Sequence, residues 1–366
     1  MVAKAERLKI RSVRVRAVAA PMRRPLATST GAVTVAPLLL LDLQTDGGIT
    51  GRAYLFAIGR QNLRPIAAVV EIMAEMLKGD PVAPFEIERK LRSKHTLLGV
   101  HNIVLFAMAG IDMCAWDALG QALGQPVVRL LGGSPRPVLA YNSKGLGIQP
   151  LRALVREAEE LAAEGFSAVK LRLGRPKAED DLAALRAVRK AIGTGMTLMV
   201  DFNQGLSVAE AVRRGRMIDE AGGVHWIEEP IRADDFAGCA KVAREVATPV
   251  QIGENFMGPE QMAQAIAAGC CDYVMPDAQR IGGVTGWMRA AALAQGAGLE
   301  MSSHLFAEAS AQLLPVTPTC HWLEYVDWAD PVLKEPPELR NGHVLCPSRP
   351  GLGMDWDEKA VKKYAA

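Results

Sequence analysis

Three acidic residues each close a short apolar run at nearly constant spacing: Asp201 in TLMVDFN, Glu228 in HWIEEP and Glu254 in PVQIGEN, at intervals of 27 and 26 residues. That interval is about the length of a strand, a helix and two loops. In a parallel α/β barrel the carboxyl ends of successive strands converge on one mouth. Three carboxylates brought together there repel one another unless a cation neutralises them. An all-oxygen set of this kind favours Mg²⁺ over Zn²⁺.

Other groups follow the same rhythm. Lys170 and Arg172 lie two apart in SAVKLRL and share one face of a strand, while Val169, Leu171 and Leu173 face the surrounding helices. Asp201 and Asn203 share a face of the next strand. Glu228 and Glu229 are adjacent, so only one of them points inward, and the spacing alone does not choose. Asp277 ends DYVMPD and His304 ends EMSSHL, 27 residues apart. A carboxylate beside an imidazole fixes its tautomer and raises its basicity. Glu324 lies in the last apolar strand, HWLEYV. Taken singly, a strand-end Asp is more often a helix N-cap and a lone His more often structural. Two cations, several acids and a histidine at one mouth are costly to build for stability alone, which favours an active site.

The elements that must position these groups are legible in outline. Residues from about 8 to 55 read as strands, with a turn at Asp46-Gly47-Gly48, and the alternation Val13, Arg14, Val15, Arg16, Ala17 reads as a half-exposed strand. From about 61 to 123 the periods are helical, and NIVLFAMAGIDMCAWDALGQALG is apolar on most sides, as a helix buried between two domains would be. Strands and amphipathic helices then alternate, from VLAYNS to HWLEYV. The expected fold is therefore α/β: a TIM-like (β/α)7β barrel with an N-terminal α+β capping domain completed by the C-terminal segment. The expected boundaries are 1–133 for the cap, 134–333 for the barrel and 334–366 for a Pro- and Gly-rich segment returning over the cap.

Composition narrows the function classes. The 42 basic and 40 acidic residues leave a net charge of +2, with no basic tract to suggest nucleic acid. Apolar runs such as PLLLL at 37–41 are too short to span a bilayer, and no secretory signal is evident. Six cysteines without a CxxC pair are expected as reduced thiols in a cytoplasmic protein. Ser302-Ser303-His304 lacks the glycines of a nucleophile elbow, and RIGGVTG at 280–286 is neither a Walker nor a GxGxxG motif.

VKLRLG, MVDFNQ, WIEEP, QIGEN, MPDAQRIGGVTGW, MSSHLF and HWLEY, with TVAPLLLLDL, AYLFA and AGIDMCAWDALG in the front domain, closely resemble the mandelate racemase subgroup of the enolase superfamily. The resemblance covers nearly the whole chain. It implies that Asp201, Glu228 and Glu254 ligate Mg²⁺, that Lys170 contacts the substrate carboxylate, and that His304 with Asp277 exchanges the α-proton on one face. It further implies that Glu324 is a protonated acid bonding the enolate, that Asn203 and Ser143 are polar groups around carboxylate and metal, and that the assembly is a homo-octamer.

The implied activity is Mg²⁺-dependent α-proton abstraction from a 2-hydroxy carboxylate, with racemisation of an aromatic or apolar acid as the outcome. One departure redirects it. Racemases of this kind have Lys-x-Lys, whereas the second position here is Arg172. Neutralising a guanidinium at pH 7 costs on the order of 8 kcal/mol, so arginine is a poor base and a good carboxylate clamp. One-base dehydration of an acid sugar is the alternative outcome, and a non-catalytic carboxylate-binding barrel is a third. Leu26, Val33, Leu305 and Val326 preserve an apolar wall against the substrate, while Thr30 and Ile58 stand where mandelate racemase has Val and Tyr.

Overall fold

The computed structural model describes residues 8–29 and 31–366, so Thr30 lies outside the described residues. β1 (Ile10–Thr28), β2 (Gly31–Thr45) and β3 (Thr50–Phe56) form an antiparallel meander. The β1–β2 hairpin extends to its tip, where Leu26 pairs with Val33 and Thr28 with Gly31. Three helices follow, α1 (Leu63–Leu77), α2 (Pro84–Lys94) and α3 (Ile103–Leu123), then a single turn, α4 (Val127–Leu130).

α3 amends the expectation that apolar stretches are too short for a membrane. At 21 residues it is long and apolar enough to cross one by length and composition, yet 89% of its most apolar window is buried inside the protein. It packs on β3, on α1 and on a barrel helix, α10 (Gly283–Ala297). Apolarity all round is what a helix covered on every side requires. Its Asp112 faces that barrel helix, accepting hydrogen bonds from the Thr285 N–H at 3.0 Å and the Thr285 hydroxyl at 2.5 Å.

Among the described residues, eight strands and seven intervening helices make the barrel. In chain order they are β4 (Val138–Asn142), α5 (Leu151–Ala162), β5 (Ala168–Arg172), α6 (Ala178–Ile192), β6 (Thr197–Asp201), α7 (Val208–Ala221), β7 (Ile227–Glu228), α8 (Phe236–Glu245) and β8 (Val250–Ile252). α9 (Pro259–Ala267), β9 (Tyr273–Val274), α10, β10 (Glu300–Met301), α11 (Ala307–Leu313) and β11 (Leu323–Tyr325) complete it. Neighbouring strands are parallel from β4 to β10. β11 closes the ring on β4 through Glu324 opposite Tyr141, and Met301 bridges Cys320 on the other side. Val169, Leu171 and Leu173 face outward into a core with Leu154, Leu185 and Ile218 of the surrounding helices, which leaves Lys170 and Arg172 inside.

The segment after 333 divides its contacts. β12 (Leu339–Arg340) and β13 (His343–Val344) form a hairpin whose second strand pairs with Val138 and Leu139 of β4, on the barrel. Beyond it the chain returns to the cap: Trp356 Nε1 donates to Asp42 at 2.8 Å, and the Ala19 N–H donates to Tyr364 O at 2.8 Å behind α12 (Glu358–Lys363). The six cysteines are free.

Candidate active site

Strand ends supply the site because parallel strands all point the same way and the barrel taper brings their last side chains together. Asp201, Glu228 and Glu254 offer oxygens that lie within 4.8 Å of one another. Lys170 sits among them: Nζ pairs with Glu228, lies 2.7 Å from Glu324 Oε1 and 3.3 Å from Asp201 Oδ2, and is 1% exposed. Burial acts to lower the Lys170 pKa, but Glu228, Glu324 and Asp201 together raise it, so the ammonium is firmly charged.

The structure separates Glu228 from its neighbour. Glu228 turns inward to Lys170, and its other oxygen accepts from Trp226 Nε1 at 3.0 Å, two residues back on the same strand face. Glu229 instead accepts from the Gly253 N–H at 3.0 Å, with its second oxygen unpaired, and burial with the nearby Glu254 charge pushes it up to about 8. Glu228 is also raised, by burial first and then by Asp201, Glu324 and Glu254 against the opposing pull of Lys170.

The set fits Mg²⁺. Its donors are hard oxygens, an excess of buried carboxylates surrounds a single ammonium, and Asn203 adds a buried, unpaired Oδ1 while its Nδ2 donates to Asp201 at 3.0 Å. Asp201, Glu228 and Glu254 would hold the ion.

His304 Nδ1 is 2.8 Å from Asp277 Oδ2, and Asp277 is itself fixed by the N–H groups of Gln279 at 2.8 Å and Arg280 at 3.0 Å. The other ring nitrogen faces the mouth, 3.5 Å from Glu254 and 3.8 Å from Glu324. Burial would lower the His304 pKa, but Glu254, Glu324 and the Asp277 hydrogen bond outweigh it and push the ring up to about 9.

Glu324 accepts from Ser143 Oγ at 2.7 Å and from the Leu305 N–H at 2.9 Å. Burial would raise its pKa, yet Lys170, His304 and Arg172 hold it well below the usual carboxylate range. These cations favour the carboxylate form of Glu324, whereas the resemblance implied a protonated acid. Its neutral form requires those cations to be engaged elsewhere.

Arg172 lies 4% exposed beside Lys170 and, among the described residues, clamps no carboxylate. Its Nη1 donates to Ser143 O at 3.0 Å and Gly145 O at 2.6 Å, and its Nη2 donates to Ser143 Oγ at 2.7 Å. Both terminal nitrogens of the guanidinium are thus engaged by the β4–α5 loop, while its buried Nε has no hydrogen-bond partner.

Several loops at the mouth adopt left-handed backbone without glycine: Leu146 (φ 53°), Asn203 (44°), Gln204 (65°), Glu229 (40°), Leu305 (48°) and Phe306 (46°). Each costs roughly 1–3 kcal/mol. The return is directional. At Leu305 the turn aims the N–H at Glu324, and at Gln204 it aims the N–H at Glu229 O, 2.7 Å away. The hairpin tip of the cap lies across these loops. Ser29 Oγ donates to Phe202 O at 2.7 Å, and Ala27 O accepts from the Ile148 N–H at 2.7 Å. Gly147 and Gly205 permit the approach, since a Cβ there would stand 2.6 Å from Ala27 O and 2.5 Å from Ser29 Oγ. The tip carries Leu26, which is buried, and its strand partner Val33, while Leu305 and Val326 are buried on the barrel side and Ile58 is exposed.

Sequence reading passed over two groups that complete the site. Trp226 was visible through its i, i+2 relation to Glu228. Asn255 donates to Glu254 at 3.2 Å and is held in turn by Arg280, a link made across two loops that no local pattern announces.

Comparison with known proteins gives a consistent result. Residues 10–132 match the mandelate racemase / muconate lactonizing enzyme N-terminal domain, and residues 153–360 match the enolase C-terminal domain-like family. A crystal structure of an enolase from alpha proteobacterium BAL199 with bound Mg superposes with a TM-score of 0.96 at 44% identity, covering 98% of this chain and 100% of that one. An enolase from Bradyrhizobium complexed with magnesium and mandelic acid gives 0.94 at 42% identity, covering 98% and 99%. The L-talarate/galactarate dehydratase of Salmonella typhimurium is 30% identical over 329 residues, 90% of this chain and 82% of that protein.

Proposed function

Because the chain belongs to the mandelate racemase / muconate lactonizing enzyme family of the enolase superfamily, whose members are Mg²⁺-dependent enzymes, we propose that it dehydrates an acid sugar by one-base chemistry at His304. The observation that carries this reading is the engagement of Arg172. Three hydrogen bonds hold its guanidinium to the Ser143–Gly145 loop, so the face opposite His304 presents an anchored guanidinium rather than a free base at that position.

The substrate class is a 2,3-dihydroxy carboxylate. Mg²⁺ held by Asp201, Glu228 and Glu254 would supply Lewis-acid polarisation of the substrate carboxylate. Asp277 accepts from His304 Nδ1–H, so once a bound cation offsets the Glu254 charge that raises the ring, Nε2, the nitrogen that faces the mouth, is the one that would give up its proton and carry the lone pair. Nε2 takes the α-proton, and the electron pair of the C–H bond moves into the carboxylate as an enediolate. Lys170 meets the added charge as a fixed cation, with Glu324 beside it. The enediolate then collapses and expels the 3-hydroxyl, which leaves as water with the proton carried by His304. The enol product tautomerises to a 2-keto-3-deoxy acid. No oxidant or reductant is needed.

A second reading, racemisation of an aromatic 2-hydroxy acid, is favoured by the apolar wall of Leu26, Val33, Leu305 and Val326 and by the mandelic acid bound in the Bradyrhizobium neighbour. Incubation of acid sugars and of mandelate with enzyme and Mg²⁺ in D₂O, followed by proton NMR, separates the two. Dehydration gives a 2-keto acid deuterated at C3. Deuterium appearing in both enantiomers of mandelate, with no keto acid from any sugar acid, would overturn the first reading in favour of the second.

A further inference from the structure

The far end of the barrel carries a second cluster of ring nitrogens and carboxylate oxygen that the reaction does not use. His225 and His321 open the two similar stretches HWIE and HWLE, and each lies two residues before its strand, β7 or β11. These are the fourth and eighth strands of the ring, on opposite sides of it. Backbone pairing fixes both positions: the His225 N–H donates to Leu198 O at 2.8 Å and the His321 N–H to Met301 O at 3.0 Å. The two imidazoles cross the barrel floor until their Nε2 atoms are 3.4 Å apart. Glu300 Oε2 lies 3.7 Å from His321 Nε2, and Ser302 Oγ lies 3.3 Å from His321 Nδ1. The Tyr273 ring packs against both imidazoles.

Two nitrogens bound to one tetrahedral Zn²⁺ at ~2.0–2.1 Å stand about 3.4 Å from each other. The Nε2 separation equals that, and it is longer than a good hydrogen bond between ring nitrogens. Ser302 Oγ, accepting from His321 Nδ1–H, would leave Nε2 with a free lone pair, the usual support for a ligating histidine. Burial, and for His321 the neighbouring His225, keeps both rings below their ordinary pKa, so both are neutral near pH 7 as metal ligation requires. A cleft of about 580 Å³, walled by Arg189 and by residues 194–198 and 221–224, reaches His225 from the surface.

We propose that His225, His321 and Glu300 form a second metal site, for a borderline-soft divalent ion such as Zn²⁺, on the barrel floor. The Glu300 side chain is 54% exposed and free to swing onto the ion, leaving water for the fourth position. Mg²⁺ is not a competitor, because imidazole suits zinc and its neighbours rather than a hard cation. The bound ion ties opposite strands of the ring together, so its effect is on stability rather than on turnover.

The test uses the whole enzyme saturated with Mg²⁺, to which Co²⁺ and then Zn²⁺ are added. Tetrahedral nitrogen-ligated Co²⁺ absorbs intensely in the visible, whereas Co²⁺ displacing Mg²⁺ at the oxygen site absorbs weakly. One equivalent with intense absorption is expected, displaced by Zn²⁺ and accompanied by a rise in Tm. In His225→Asn the affinity falls at least about 100-fold with kcat unchanged, and in the exposed variant Glu300→Ala it falls roughly tenfold. Absence of the intense bands in the wild-type enzyme, or bands that persist undiminished in both variants, would overturn the proposal. If His225→Asn does not fold, Glu300→Ala decides by the same criterion.

Discussion

Arg172 Nη2 donates to Ser143 Oγ at 2.7 Å, and that same hydroxyl donates to Glu324 at 2.7 Å. The arginine therefore orients the acid through serine, while its charge helps to keep Glu324 ionised. It stands where a second base would be and serves as an anchor.

Replacing it tests that division of labour. Arg172→Lys restores a group that can be deprotonated, and α-proton exchange on the second face is expected to appear from an undetectable background. Loss of the three-point anchor removes charge-assisted hydrogen bonds of about 1.5–3 kcal/mol, so water loss slows roughly tenfold or more. The measurement is deuterium incorporation resolved by enantiomer. Exchange confined to one face in the lysine variant would remove the argument that arginine blocks the other.

The His304–Asp277 dyad is predicted to carry all proton transfer. His304→Asn should abolish exchange and turnover together, and Asp277→Asn should lower kcat by roughly 10²–10⁴ with the metal affinity nearly unchanged. Residual exchange in His304→Asn at wild-type rate would show that the proton goes elsewhere.

Magnesium binding should be visible as stability. An ion at a hundred times its Kd stabilises the fold by about 2.7 kcal/mol, so the Tm should rise with Mg²⁺ and fall on chelation. Glu228→Gln should retain the fold and lose this dependence, because the amide still accepts from Trp226 Nε1, 3.0 Å away from the carboxylate oxygen it replaces. A Tm insensitive to Mg²⁺ in the wild-type enzyme would count against the acid triad as the site.

Glu308 gives a stability prediction with a definite sign. Burial pushes this carboxyl up to about 7, although the Tyr54 hydroxyl bonds it at 2.7 Å. Its folded pKa exceeds the unfolded value of 4.5, so the contribution is full below pH 4.5 and is lost as pH rises through 7. The loss amounts to about 3 kcal/mol. Glu308→Gln, which does not ionise, should match the wild type at pH 4.5 and exceed its stability at pH 8 by up to that amount. Denaturant unfolding at the two pH values reads it, and equal curves at pH 8 would refute the assignment.

The hairpin tip of the cap is predicted to govern substrate retention. A side chain at Gly205 collides with Ser29, which bonds Phe202 O at 2.7 Å. Gly205→Val should displace the tip by overpacking worth roughly 1–3 kcal/mol and raise KM about tenfold, with kcat changed far less. An unaltered KM would show that Ser29 does not hold the tip over the bound substrate.

The sequence by itself determined the periodic features. Alternation of two placed Lys170 and Arg172 on one face with Val169 and Leu171 on the other, and a strand-helix repeat put Asp201, the Glu228–Glu229 pair, Glu254, Asp277, His304 and Glu324 at or near strand ends. Those facts are local, because a strand's two faces and a helix's apolar stripe are set within a few residues. Tertiary structure decided what lies across the ring. Choosing Glu228 over Glu229 needed the left-handed turn at Glu229; spending Arg172 on Ser143 and Gly145 needed the β4–α5 loop folded beside β5; bringing His225 to His321 needed the barrel to close. Each is a contact between segments far apart in sequence, fixed by strand register and loop conformation, and no pattern within a single element contains it.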